Sequence, residues 1–192
     1  IVDKKWILNI SNFFPGKGQK HLLHILDILP NRDDFIYIQI SSDIQFSIGK
    51  QIEDRWRVLC QEFAELDIRL LKNISREKTI GFLKQSNVFA FTSEKEVAPL
   101  VLLESMAAEL PWVSTNVGNS QILKGGICIP AVKDKKDHSV FDDRVNILFG
   151  NAICDACENS QIGLEGRKQI EKELSWDKIL PKYSDLINKK HA

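Results

Sequence analysis

The sequence predicts an α/β fold, a parallel sheet of about six strands with flanking helices and a C-terminal helical extension, and three observations carry that prediction. Short β-branched and aromatic runs alternate with helix-patterned segments up to about residue 130. Strand and helix in strict alternation demand parallel strands joined by right-handed crossovers. After Pro130 the strand signals stop and helix-like material runs to the end.

Taken in order, the strand candidates are 6–10 (WILNI), 35–40 (FIYIQI), 68–71 (IRLL), 88–91 (VFAF), 112–115 (WVST) and 127–129 (ICI). Helical spacing or helix-forming composition fills 19–29, 51–66, 76–86 and 100–108 between them. The polar run 133–138 (KDKKDH) reads as a solvated loop. Beyond it, 140–158, 163–173 and 176–189 read as helices, the last with Ser175 as N-cap, and together they suggest a cap packed across the sheet. No repeat or low-complexity linker divides the chain, so residues 1–192 read as one Rossmann-like domain with 140–192 as its extension.

Composition narrows the function classes. The chain has 192 residues with 26 Lys plus Arg against 26 Asp plus Glu, a net charge of zero. Coating nucleic acid needs a basic excess that is absent here, so no nucleic-acid partner is expected. A hydrophobic content of 43% with 27% charged residues is that of an ordinary globular chain. No apolar run reaches the roughly 18 residues of a membrane span. Cys154 and Cys157 form a C-x-x-C pair within a helical pattern, while Cys60 and Cys128 stand alone, so a structural zinc site is not indicated. The only methionine is Met106, and a chain opening at Ile1 reads as part of a longer one.

In an open parallel sheet ligands bind beyond the carboxyl ends of strands, so the segments that follow strands are the informative ones. After the first strand comes Ser11-Asn12-Phe13-Phe14-Pro15-Gly16-Lys17-Gly18-Gln19. Gly16 and Gly18 permit a tight turn, and Lys17 between them brings an ammonium to a helix N-terminus, which suits phosphate. The segment is neither a full G-x-G-x-x-G nor a Walker A loop. After the fourth strand comes a stretch that contains Glu96, Ala98, Pro99, Leu100, Val101 and Glu104. Pro99 suits the first helical position and leaves the amides of Leu100 and Val101 free to donate. Glu96 and Glu104 could hold two hydroxyl-bearing parts of one ligand, such as a ribose and a second sugar. Taken singly, each has an ordinary explanation: Glu96 facing a helix dipole from solvent, Glu104 on an exposed stripe.

The spacing Glu96-x7-Glu104 within SEKEVAPLVLLESMA resembles the E-x7-E motif of retaining GT-B glycosyltransferases, in particular family 4, the glycosyl transferase group 1. The resemblance runs through nearly the whole chain. NFFPGKG is similar to the start of that family's C-terminal domain, LLKNISREKTIGFLKQSNVFAFTS to its nucleobase loop, helix and strand, and Ser175-Trp176-Asp177 to its F-S-W. Residues 115–119 and Gly125-Gly126 resemble the loop and strand after the E-x7-E helix.

The resemblance implies one half of a GT-B fold, the half that binds a UDP-, GDP- or ADP-sugar, with an N-terminal domain elsewhere in the chain facing a glycan or lipid-linked acceptor. It implies Lys17 on the donor diphosphate, Glu104 on the ribose and Glu96 on the transferred hexose. Amides around Ala98, Leu100 and Val101 would hold phosphates and sugar, with Asn73 and Ile74 near the base and Asn12, Gly16 and Gly18 completing the loop. No cofactor and no metal are expected, since Lys and helix-end amides stabilise the leaving diphosphate and the chain carries no D-x-D. By the same resemblance the protein is cytoplasmic or peripheral at the inner membrane face, and the isolated domain transfers little sugar. Three departures stand out: Asn12 where many members have Arg, Val97-Ala98-Pro99 for Gly-Phe-Gly, and Glu109 where Gly is expected. A Rossmann-like nucleotide-binding or regulatory module without catalysis is the alternative reading.

Overall fold

The computed structural model describes residues 4–43, 47–130 and 141–189. The run 133–138 and the start of the 140–158 helix therefore lie outside the described residues. Six strands, β1 (Lys5–Ile10), β2 (Phe35–Ser41), β3 (Asp67–Lys72), β4 (Val88–Phe91), β5 (Trp112–Thr115) and β6 (Gly126–Ile129), form one sheet in the order β3-β2-β1-β4-β5-β6. Every pairing is parallel. The chain builds outward from β1 to β3 and then restarts on the other side of β1 with β4. That reversal opens a crevice at the carboxyl ends of β1 and β4, the position where such sheets bind ligands.

The crossovers are α1 (Gln19–Asp27), α2 (Ser47–Glu62), α3 (Arg76–Gln85) and α4 (Leu100–Ala107). The inner strands β4 and β5 are buried along their whole length, whereas the edge strand β3 is only half-buried, as expected for a sheet covered on both faces. On one face Leu22, Leu23 and Ile25 of α1 pack with Trp56 of α2 against Ile7, Val88 and Val113. On the other, Leu83 of α3 and Leu102 and Met106 of α4 cover Leu8, Phe89, Phe91 and Trp112.

The tail departs from the expected cap. Helix α5 (Asp143–Glu158), capped by Asp142, lies on α1 and on β5 and β6, and joins the first core through Phe149 and Ile153. Helix α6 (Gln161–Gln169) goes to the opposite face against α4 and runs into a π-helical turn, Ile170–Leu174. The two thus complete one layer each. Helix α7 (Trp176–Lys189) leaves the core, and Trp176, Leu180, Tyr183 and Ile187, spaced three and four apart along one face, are all exposed. Among the described residues no helix is long and apolar enough to cross a membrane.

The cysteines behave as core fillers. Cys154 and Cys157 pack from α5 against the first core, and burial pushes the Cys157 thiol up to about 12 and that of Cys60 to about 11. Thiols held so far from ionisation are poor metal ligands and nucleophiles.

Candidate functional site

Two loops at the sheet reversal are laced together. Gly18 adopts a left-handed φ of 71° as the N-cap of α1, and an added Cβ there would meet the Thr92 carbonyl oxygen at 1.9 Å, so only glycine fits. The Glu94 N–H donates to the Gly16 carbonyl at 2.7 Å, and the Thr92 hydroxyl donates to the Gly18 carbonyl at 3.0 Å. The loop after β1 is thereby fixed to the loop after β4.

A buried polar network holds the same loop from below. Tyr37 donates to Gln39 (2.6 Å), Gln39 to the Ser11 carbonyl (2.9 Å), and Ser11 to Asn9 (2.5 Å), while Gln19 donates to Ser11 (3.0 Å) and to the Asn12 carbonyl (2.9 Å). Asn9 and Gln39 are fully buried, so each needs these partners, and satisfied networks of this kind stiffen what they touch.

On this frame Lys17 Nζ meets Glu96 Oε1 at 2.5 Å, half-buried and 6.0 Å from the centre of the Phe91 ring. The same carboxylate oxygen accepts a 2.8 Å bond from Ser93 Oγ, and the Ser93 carbonyl is itself held by the Thr115 hydroxyl. Glu104, further along α4, pairs with Arg76 Nη2 at 2.8 Å. Its carboxylate is therefore neither unpaired nor on a bare stripe.

A cleft of about 500 Å³ runs between these groups. Asn12, Lys17, Ile74 and Glu96 line it, as do the start of α4 at Ala98, Pro99, Leu100 and Val101 and, from α3, Arg76 and Thr79. Pro99 proves to be the N-cap rather than the first helical residue, and the N–H groups of Leu100 and Val101, first in the helix, have no intrahelical partner. A second hollow of about 410 Å³ lies beyond the glycine loop against α2, away from Lys17, Glu96 and the start of α4.

Of the residues singled out from sequence, four do not face the cleft. Gly16 and Gly18 shape the loop and border the other hollow. Asn73, with φ 53°, uses its side chain on Asp43: its Oδ1 accepts from the Asp43 N–H at 2.9 Å, and its Nδ2 donates to the Asp43 carboxylate at 2.6 Å. Glu104 pairs with Arg76, which does line the cleft. Asn12 does line the cleft, yet its Oδ1 is also occupied, accepting the Ser42 N–H at 2.8 Å. Glu109 is left-handed (φ 59°) in the position where glycine is expected, closing α4 with Leu110 N–H donating back to the Ser105 carbonyl at 3.0 Å.

Arg76 and Ser93 were not singled out from sequence. Arg76 opens α3 directly after the capping Ser75, at the same strand ends as the other groups. Ser93 lies next to the E-x7-E segment. Asn9 and Gln39 carried a clearer signal, since a polar residue inside a doubly covered strand needs an internal partner. Among the described residues no group of His, Cys, Asp and Glu could hold a metal ion.

The family model for glycosyl transferases group 1 matches residues 1–149. Among curated proteins, the capsular polysaccharide biosynthesis glycosyltransferase CapM of Staphylococcus aureus is 26% identical over 127 residues, 63% of this chain and 31% of CapM. Among solved structures, sucrose-phosphate synthase from Thermosynechococcus elongatus superposes with a TM-score of 0.80 at 23% identity over 100% of this chain and 46% of its own. Anabaena HepE, solved in complex with UDP-glucose, superposes at 0.74 with 16% identity, over 97% of this chain and 49% of its own. The chain thus spans under a third of CapM and just under half of each structure. A match across three quarters of the sequence, on a sheet whose reversal point carries the glycine loop and the E-x7-E helix, makes this chain a member of the group 1 glycosyl transferases.

Proposed function

We propose that this chain is the donor-binding, C-terminal domain of a retaining family 4 glycosyltransferase. The domain comprises residues 1–192, with 140–192 as its helical extension, and an N-terminal domain of the longer protein presents a glycan or lipid-linked acceptor. The observation that carries the reading is the Lys17–Glu96 contact of 2.5 Å across the sheet reversal, beside the two free amides that open α4.

These groups can do the chemistry such transfer requires. The ammonium of Lys17 and the Leu100 and Val101 amides are fixed donors that neutralise charge building on a departing diphosphate, and fixed donors cost no reorganisation at that moment. Glu96, freed from Lys17 as the diphosphate takes its place, accepts hydrogen bonds from hydroxyls of the transferred hexose. Glu104 accepts from the ribose, and the backbone near Asn73 and Ile74 faces the base. Leaving-group stabilisation by these groups requires no metal. HepE has been solved in complex with UDP-glucose, which makes UDP and its sugars the first donors to try, with GDP- and ADP-sugars beside them. Action at the cytoplasmic face of a membrane, by peripheral contact, accords with a lipid-linked acceptor.

Calorimetric titration with UDP, GDP and ADP and their sugars tests the reading. Saturable binding of one nucleotide family, weakened about tenfold or more by Lys17→Gln, is expected. No saturable binding to any of them sinks it.

A further inference from the structure

The cleft is short of free positive charge. Among the described residues its lining contains two cations, Lys17 and Arg76, and both are paired, the first with Glu96 at 2.5 Å and the second with Glu104 at 2.8 Å. Asn12, on the same wall, is uncharged and already bonded to Ser42. A nucleoside diphosphate sugar carries a charge on each phosphoryl group, and placing both beside one lysine would leave the second uncompensated next to two carboxylates.

We propose that Arg76 is a donor-binding residue: its guanidinium exchanges the Glu104 carboxylate for an oxygen of the donor diphosphate, so that Lys17 and Arg76 clamp the two phosphoryl groups together. The inference rests on the donor-site reading above. Arg76 is built for such an exchange. Its backbone is fixed by the Ser75 cap, whose hydroxyl accepts the Lys78 N–H at 3.3 Å, while its side chain is 61% exposed and, among the described residues, makes one ion pair. An exposed pair is held weakly, and a forked guanidinium takes phosphate oxygens two at a time, so the exchange is favourable in direction. It also has a second effect. Glu104, released from Arg76, becomes a free acceptor for hydroxyls at the moment the ligand arrives, so one movement prepares both groups.

The test is calorimetry on the 192-residue chain with UDP against uridine, GDP against guanosine and ADP against adenosine. Wild type, Arg76→Gln, Arg76→Lys and Lys17→Gln are compared, with circular dichroism melting as the check on folding. Arg76→Gln is expected to weaken diphosphate binding about tenfold or more and nucleoside binding less than about twofold, with a shallower salt dependence. Arg76→Lys should recover part of the loss, and Asn12→Arg placed on Arg76→Gln should recover part as well, because the missing quantity is charge at the cleft. Equal losses for nucleoside and diphosphate overturn the inference. If Lys17→Gln weakens binding and Arg76→Gln does not, the inference falls while the donor site stands. If the wild type binds none of the ligands, both fall.

Discussion

Lys17–Glu96 and Arg76–Glu104 each join a basic side chain to a glutamate carboxylate, at 2.5 and 2.8 Å beside one cleft, but their surroundings differ. The first pair is half-buried, backed by Ser93, and mounted on two loops that hydrogen-bond to each other and rest on a satisfied buried network. The second bridges two helices through a side chain that is mostly in water. The difference separates pre-organisation from adaptability. A rigid pair sets where charge must develop, and a loosely held pair can give way to whatever arrives.

The comparison breaks most completely at Gly18. A methyl group there meets a backbone oxygen and forces a left-handed alanine, so Gly18→Ala should cost about 3 kcal/mol or more in denaturant unfolding. It should also abolish nucleotide binding. An unchanged midpoint would mean that the two loops are not locked.

A pH series probes the same rigid side. His21 stands 3.5 Å from Glu94, and burial, with Lys20 and His24 nearby, lowers its pKa from 6.5 to about 4. Between those values the unfolded chain binds a proton that the folded chain refuses, so stability is complete above pH 6.5 and falls as the pH drops towards 4. The loss is on the order of 2–3 kcal/mol. Unfolding of His21→Gln between pH 7.5 and 4 should lack that part of the slope, and an identical slope would remove His21 as its source.

Ser93→Ala takes away one hydrogen bond to a partly buried carboxylate, an expected loss of about 1–2 kcal/mol. Donor affinity should fall with it, because Glu96 loses its orientation. Arg76→Gln should change stability by less than about 1 kcal/mol, as befits an exposed pair. Should the last two stability losses reverse in rank, the contrast between rigid and loose pairs is wrong.

Most of the fold was legible because each strand is a short apolar run bounded by polar or Gly/Pro residues, and nothing competes with alternation as a pattern. The misplaced boundaries have local causes. Helix α2 starts at Ser47, before the predicted residue 51, because a Ser-Ile-Gly-Lys stretch with Gly at its centre carries little helix preference to read; within it only Gly49 is buried. The tail looks like one cap in sequence because a sequence reports that a helix is amphipathic but not which face of a sheet it covers. At the cleft, Lys17 and Glu96 were legible because short loops at a reversal leave few places for their side chains. Arg76 was not, since its contact with Glu104 depends on how α3 lies beside α4, which no spacing within either helix encodes. The side-chain partner of Asn73 was equally hidden. Asn73 closes a turn onto Asp43, thirty residues earlier in the chain, a contact that no local pattern announces.

The lacing of the glycine loop to the β4 loop also has a mechanical meaning. Strands β1 and β2 share six register pairs, whereas β4 and β5 share three and β1 and β4 only two, so the β1–β4 seam is the shortest in the sheet. The bonds from residues 92 and 94 to the glycine loop act as a clasp just past the end of that seam, where a load pulling the halves apart would concentrate. On the proposed donor-site reading, a ligand gripped by Lys17 on one half and by the start of α4 on the other would add a further stitch at the same point. On that reading, occupancy of the cleft and cohesion of the sheet are one mechanical property.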